Sequence, residues 1–397
     1  MGKGEYFLRV NAEKARPWKE KEPILSSLTV VLTERCNANC IHCCVNLPEN
    51  DTEAQKKELS TGALKEIMAE AATLGCLRVQ FTGGEPLLRP DFEELYLFAR
   101  RSGLKVSLST NGTLITPQIA EILGRIPPLE MIEISVYGMK RASYEAVTRT
   151  PGSYEAAWRG IHLLLEKKIP FVVKGVLLPP NRHEKEEFES WAATLPGMEF
   201  PPVYSLMLEL RRNSRKEKNS QIKSLRLSAN EMIHEVTKDP RAYLREVKSF
   251  LLKRVSLTGD RLFPCATGTR GVKGCSNAYG YLQLCITLGD PVTHYDLKQG
   301  SLKDGLTRFF PKIREMKATN PEYLSRCARC FLKVICDQCA ARSWQENGTL
   351  DTPVEYFCEV SHAQGKYLGL LRNGEVAWNV KDWLGRIEEF QKATSLD

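Results

Sequence analysis

From Leu28 onward, short apolar runs alternate with longer stretches whose apolar residues recur at helical spacing. The runs predict strands at 28–33, 77–81, 105–109, 131–136, 171–178 and 203–208. The stretches between them predict helices at 61–74, 92–101, 117–123, 154–166 and 184–193. Ser60 stands where the first helix needs an N-cap. Gly75 and Gly103 follow helix ends, where a left-handed residue closes the last turn. Repeated strand–helix units imply an α/β fold of parallel strands joined by right-handed crossovers. In barrels of such strands the chemistry gathers at the strand C-termini.

The pattern then changes. Residues 209–250 are polar and basic and read as a solvated linker, followed by a helix from about Ala229 capped by Ser228. The alternative for the start of this segment is that Arg211 or Arg212 reaches back to the strand ends. From Phe263 the chain turns cysteine-rich, with eight of its thirteen cysteines between Cys265 and Cys358. The tail from Gly374 places Trp378, Val380, Trp383, Leu384, Ile387 and Phe390 at the spacing of an amphipathic packing helix. The expected organisation is a lead-in at 1–26, an α/β unit at 27–215, a basic linker and helix at 216–260, a cysteine-rich domain at 261–365 and a terminal helix at 366–397.

Composition narrows the class. With 397 residues, 42% apolar and 26% charged, the chain can bury a large core and reads as soluble. No apolar run approaches the ~20 residues of a membrane span, and the first residues carry charges where a signal peptide needs apolar ones. A cytoplasmic location is expected, with no membrane contact. Cytosolic thiols stay reduced, so clustered cysteines point to metal or redox chemistry rather than disulfides. The net charge of +8 comes without an aromatic-interleaved basic patch, so no nucleic-acid partner is expected.

Two motifs sit at strand ends. After the first strand, TERCNANCIHCC places Cys36, Cys40 and Cys43 at C-x3-C-x2-C spacing. Soft thiolates favour iron–sulfur clusters, zinc or copper(I), and three of them leave one cluster iron open. A three-cysteine zinc site with a distant fourth ligand is the alternative. After the second strand, FTGGEPLL sets Gly83 and Gly84, which allow close backbone approach, before Glu85 and Pro86. In the C-terminal region, Cys327-x2-Cys330-x5-Cys336-x2-Cys339 has a far shorter gap than the ~15–20 residues of zinc ribbons. Cys76 sits in an apolar strand entry and reads as core. Cys44 reads as a buried thiol, with hydrogen-atom donation to a substrate radical as the sharper alternative.

The triplet with GGEP downstream resembles the radical S-adenosylmethionine (radical SAM) enzymes. The resemblance implies a partial (β/α)6 TIM-type barrel. It places a [4Fe–4S] cluster on Cys36, Cys40 and Cys43, with S-adenosylmethionine on the open iron. Gly83, Gly84, Glu85, Pro86, Asn111, Ser135 and Arg149 would form the cofactor pocket, Arg149 pairing with the carboxylate. His42 would pack near the adenine. Tyr137, in ISVYG, replaces the acid that relatives often carry there. One-electron cleavage of the cofactor would yield a 5′-deoxyadenosyl radical that abstracts hydrogen.

Cys265, Gly280-x4-Cys285 and the later cysteines resemble the SPASM extension, which implies two auxiliary [4Fe–4S] clusters. By the family's pattern Cys265, Cys275, Cys285 and Cys339 hold the first, and Cys327, Cys330, Cys336 and Cys358 the second. Here two residues rather than three precede Cys339. SPASM enzymes act mostly on peptides and proteins. The expectation is therefore a maturase that crosslinks, forms a thioether in, oxidises or epimerises a ribosomal precursor. Its partners would be that precursor, a flavodoxin- or ferredoxin-type electron donor and, where a leader is recognised, a separate leader-binding protein. A sulfatase-maturase reading needs an aspartate after the cysteine matching Cys285, where this chain has Ile286. A small-molecule or cofactor-pathway enzyme of the superfamily, and a non-catalytic zinc protein or electron carrier, are the other readings. Asp290, His294 and Tyr295 are candidate acid–base groups.

Overall fold

A computed structural model describes residues 25–45, 47–254, 259–267 and 272–393. Nearly all of the expected lead-in lies outside them. Six parallel strands stand side by side in chain order: β1 Leu25–Thr33, β2 Arg78–Gly83, β3 Lys105–Thr110, β4 Leu129–Ser135, β5 Val172–Val176 and β6 Val203–Ser205. One row of register partners runs Val30, Phe81, Leu108, Ile132, and all four side chains are fully buried. Burying a Phe or Leu this completely contributes about 1.5–3 kcal/mol each.

The sheet continues past β1. Strand β7, Val272–Ser276, adds in parallel to its outer edge, followed by antiparallel β8, Tyr281–Gln283, and β9, Tyr295–Asp296. The full order is β9-β8-β7-β1-β2-β3-β4-β5-β6. Backbone hydrogen bonds therefore graft the cysteine-rich region onto the barrel edge, and the barrel stays open at β6.

The five expected helices form at Thr61–Thr73, Phe92–Arg101, Pro117–Arg125, Ser153–Glu166 and Lys185–Ala192. The Ser60 hydroxyl accepts from the Ala63 N–H at 3.2 Å. Gly75 and Gly103 take φ of +82° and +81°. Ser228 and Glu231 complete a reciprocal capping box at the start of Ala229–Val236.

Among the helices beyond those expected, two pack against the cysteine loop. Arg141–Thr148 buries only Tyr144 and Val147 among its large side chains, a weak apolar pattern. The carbonyls of Val147 and Thr148 at its C-terminal end accept from the N–H groups of Ile41 and Asn39, both at 2.9 Å. Orphan carbonyls of a helix end thus fix the cysteine loop. Lys216–Ser224 lies in the stretch read as solvated linker. Its buried Ile222 packs with Ile41, Val147, Leu208 and Leu210, which docks this polar helix on the barrel mouth.

The tail also differs from expectation. Its helix begins at Trp383, not near Gly374, and Trp378 lies in a separate short turn, Ala377–Asn379. Ile387 is 3% exposed, whereas Leu384 is 53% exposed and faces solvent. Among the described residues no helix is long and apolar enough to cross a membrane.

Candidate active site and thiol centres

The loop after β1 is held from several sides. Arg35 and Cys36 pair in parallel with Leu47 and Pro48. Arg35 is buried; its Nε donates to Glu58 at 2.9 Å and its Nη1 to the Glu49 carbonyl at 2.8 Å. Arg89 donates to the Leu32 and Leu59 carbonyls and pairs with Asp91 at 2.6 Å. Each buried guanidinium has its acid, which such groups need. Inside this frame Cys36, Ala38 and Cys40 pack together, with Cys43 at their edge. Burial pushes the Cys36 thiol up to about 12 and raises Cys40 further, so both hold protons near neutral pH when no metal is bound.

The glycines of the second motif make the close approach that their chemistry permits. A Cβ on Gly84 would stand 2.3 Å from the Arg35 carbonyl oxygen, and one on Gly83 2.1 Å from that of Thr33. The N–H of Gly84 donates to Thr33 and that of Glu85 to Arg35, at 2.8 and 2.9 Å. Glu85 is fully buried and accepts from the Thr110 hydroxyl, the Asn111 N–H and the Leu87 N–H. Burial pushes its carboxyl up to about 7 despite these donors. Its partners are thus the β3 end and its own turn. Asn111 in turn donates to Asn37 at 2.9 Å and approaches the Cys36 sulfur at 3.8 Å. Pro86 starts the short helical turn that follows.

Ser135 ends β4 with its hydroxyl beside the Tyr137 phenol. The Tyr137 ring packs on His42 at 5.4 Å and Tyr144 at 5.6 Å. Arg149 stands exposed after Arg141–Thr148 in a left-handed conformation, φ +51°. Lys218, which the sequence did not single out, donates from Nζ to the Cys40 carbonyl at 2.6 Å.

A cleft of about 560 Å³ opens beside the loop, a volume in the range of small-ligand sites. Glu34, Cys44 and Gly83 line one side, and Tyr279, Thr287 and Gln345 the other. The Tyr279 phenol donates to Glu34 at 3.0 Å, and Arg211 pairs with the other Glu34 oxygen. Of the two arginines weighed for this role, Arg211 reaches the cleft, while Arg212 stacks on Trp344 at 5.6 Å. Arg212 N–H donates to Gln345, whose amide donates to the Thr287 carbonyl, both at 2.7 Å. Residues 209–212 therefore strap the barrel mouth to the cysteine-rich region. Of the acid–base candidates only His294 lines this cleft. Asp290 caps the turn Pro291–Thr293, and Tyr295 packs against Phe309. Cys44 is packed partly among Ile41, Leu208 and Leu210, and Cys76 is buried and donates to the Arg78 carbonyl.

One of the two C-terminal quartets comes together in a single cavity. Cys327, Cys330, Cys336 and Cys358 line one small cavity. Around it, Gln338 N–H donates to Cys336 at 3.4 Å, and Arg326 approaches Cys358 at 3.6 Å. His362 Nδ1 lies 3.5 Å from the Cys358 sulfur. It stands four residues on along the same helix, a spacing that could have marked it. In the other group, burial pushes Cys285 up to about 11, helped by the nearby Cys339 and Cys265 thiols. Burial and Cys285 likewise raise Cys275. Among the described residues no three His, Cys, Asp or Glu side chains converge on a single-ion site.

Residues 30–192 match the Radical SAM superfamily. The chain carries a radical SAM domain. Its α/β fold with a parallel sheet is that of Streptococcus suis SuiB bound to S-adenosylmethionine, at TM-score 0.55 and 18% identity over 82% of this chain and 75% of that one. An AdoMet-dependent heme synthase of Methanosarcina barkeri is 26% identical over 80% of this chain and 91% of its own length. A PqqA peptide cyclase of Gluconobacter oxydans is 33% identical over 39% of this chain and 42% of its own. A radical SAM domain uses S-adenosylmethionine and a [4Fe–4S] cluster. The donors here fit both: three soft thiols on one loop, and beside them the His42 Nδ1, buried without a partner.

Proposed function

We propose that this chain is a peptide-modifying radical SAM enzyme with two auxiliary clusters, and that its substrate enters the cleft between the barrel mouth and β7–β8. The carrying observation is that cleft: it starts at Gly83 and Cys44, beside the three-cysteine loop, and ends on the cysteine-rich region. Cys36, Cys40 and Cys43 hold the first cluster. Gly83, Gly84, Glu85, Pro86, Asn111, Ser135 and Arg149 form the cofactor pocket. Cys265, Cys275, Cys285 and Cys339 hold one auxiliary cluster, and Cys327, Cys330, Cys336 and Cys358 the other. When bound, cluster and cofactor supply hydrogen-atom abstraction from the substrate, as cofactors carry such chemistry generally.

The protein's own part is positional. Glu85 ties the β3 end to the glycine turn. Glu34, pinned by Tyr279 and Arg211, fixes one wall of the cleft and keeps the Tyr279 proton on its phenol oxygen. The relation to PqqA peptide cyclase supports a peptide substrate. A second reading, chemistry on a porphyrin, is favoured by the heme synthase relatives, which span four-fifths of the chain. The test is co-expression with a short peptide encoded beside the gene, followed by mass spectrometry. A loss of two hydrogens, or solvent deuterium uptake at constant mass, supports the peptide reading. An unaltered peptide together with turnover of an iron porphyrin overturns it.

A further inference from the structure

The cations around the cysteine loop are paired with acids, with two exceptions. Arg35 has Glu58, Arg89 has Asp91, and Arg211 has Glu34. Lys218 and Arg149 have no carboxylate partner among the described residues. The Lys218 ammonium has three donors. One is used on the Cys40 carbonyl, leaving two. Lys218 is half-buried. Arg149 follows Thr148, whose carbonyl accepts from the Asn39 N–H at 2.9 Å, one residue before the Cys40 carbonyl that Lys218 holds. Arg149 is fixed at a left-handed position that disfavours a side chain. His42, on the same loop and within reach of the Lys218 charge, keeps Nδ1 buried without a partner. Two cations brought to neighbouring residues of one loop, Asn39 and Cys40, with no acid partner favour an anion between them.

We propose that Lys218 and Arg149 together receive the carboxylate of S-adenosylmethionine, so that a helix outside the six barrel repeats completes the cofactor site. This rests on the radical SAM reading and adds Lys218 to it as a positioning residue. The next residue, Asn219, brackets the Arg211 backbone, accepting from its N–H at 3.3 Å and donating to its carbonyl at 2.9 Å. Arg211 lines the cleft. One short helix thus joins the cofactor carboxylate to the substrate wall.

The test uses the full chain with its clusters reconstituted without oxygen. Equilibrium dialysis measures binding of S-adenosylmethionine and of decarboxylated S-adenosylmethionine, which keeps the sulfonium and the amine. Lys218→Met weakens S-adenosylmethionine by about tenfold, as loss of one charge-assisted hydrogen bond does. It leaves the decarboxylated compound unchanged, and Lys218→Arg restores most of the affinity. Where Lys218→Met loads less iron, Lys218→Gln, which can still donate to the Cys40 carbonyl, carries the same comparison. Unchanged S-adenosylmethionine binding, or equal loss of both compounds at full iron content, overturns the proposal and leaves the radical SAM reading standing. A wild-type chain that binds no S-adenosylmethionine overturns both.

Discussion

From Leu25 to Ser205 a sheet wrapped by amphipathic helices feeds one continuous apolar cluster. That cluster extends into Val272, Leu282, Leu302, Leu306 and Phe310. Beyond Phe310 the buried apolar side chains fall into smaller groups, with the thiols lying between them. The first region is held by burial, and its cysteine loop is fixed by backbone bonds and paired charges. In the second, Cys358 stands on the helix Glu355–Tyr367, whereas Cys327, Cys330 and Cys336 lie on the short turns before it, outside any long helix or strand. Metal binding to buried ligands is folding free energy where no independent core suffices.

The sharpest break of this contrast is iron removal. Chelation should abolish amide-exchange protection around 321–371 and leave β1 to β5 protected. Uniform protection in both regions would show the C-terminal half to be self-supporting. Next comes Gly84→Ala, which drives a Cβ into the Arg35 carbonyl. It should cost about 3 kcal/mol or more and strip iron from the first loop while the other centres stay loaded, as read by denaturant midpoint and iron content. In the tail, Ile387→Ala should cost about 2–5 kcal/mol, whereas Leu384→Ala should stay within about 0.5 kcal/mol, a difference that thermal unfolding resolves.

The smallest effect is in pH. Burial holds the Cys36 and Cys327 thiols near 12 and Cys336 near 11 in the metal-free chain. A raised thiol pKa favours the neutral folded form, so this contribution is full below the unfolded value of about 8.5 and fades as pH climbs toward the folded one. Cluster loading must expel these protons. Loading should therefore quicken from pH 7 to 9 and release protons, followed with an indicator dye; a rate independent of pH would contradict it.

The barrel was legible because period and punctuation agree: alternating runs, Ser60 as a cap, Gly75 and Gly103 as stops. The cysteine motifs were legible because their spacing is local along the chain, and Cys327, Cys330, Cys336 and Cys358, grouped on the family pattern, line one cavity. What escaped was tertiary. Lys216–Ser224 has one buried apolar anchor, Ile222, too little for a periodic signal. Without that helix nothing in the sequence places Lys218 beside Cys40. Glu34 and Tyr279 are 245 residues apart, and only the pairing of β7 with β1 brings them together. The tail misled because six apolar residues fitted one helical period across a turn that breaks it.

The central claim is that the loop of Cys36, Cys40 and Cys43 carries the centre that cleaves S-adenosylmethionine. The direct measurement replaces these three residues with alanine, rebuilds the remaining centres and quantifies 5′-deoxyadenosine after adding dithionite. The account predicts none above background, with about eight irons per chain retained by two four-iron centres. Accumulation at the wild-type rate would contradict it.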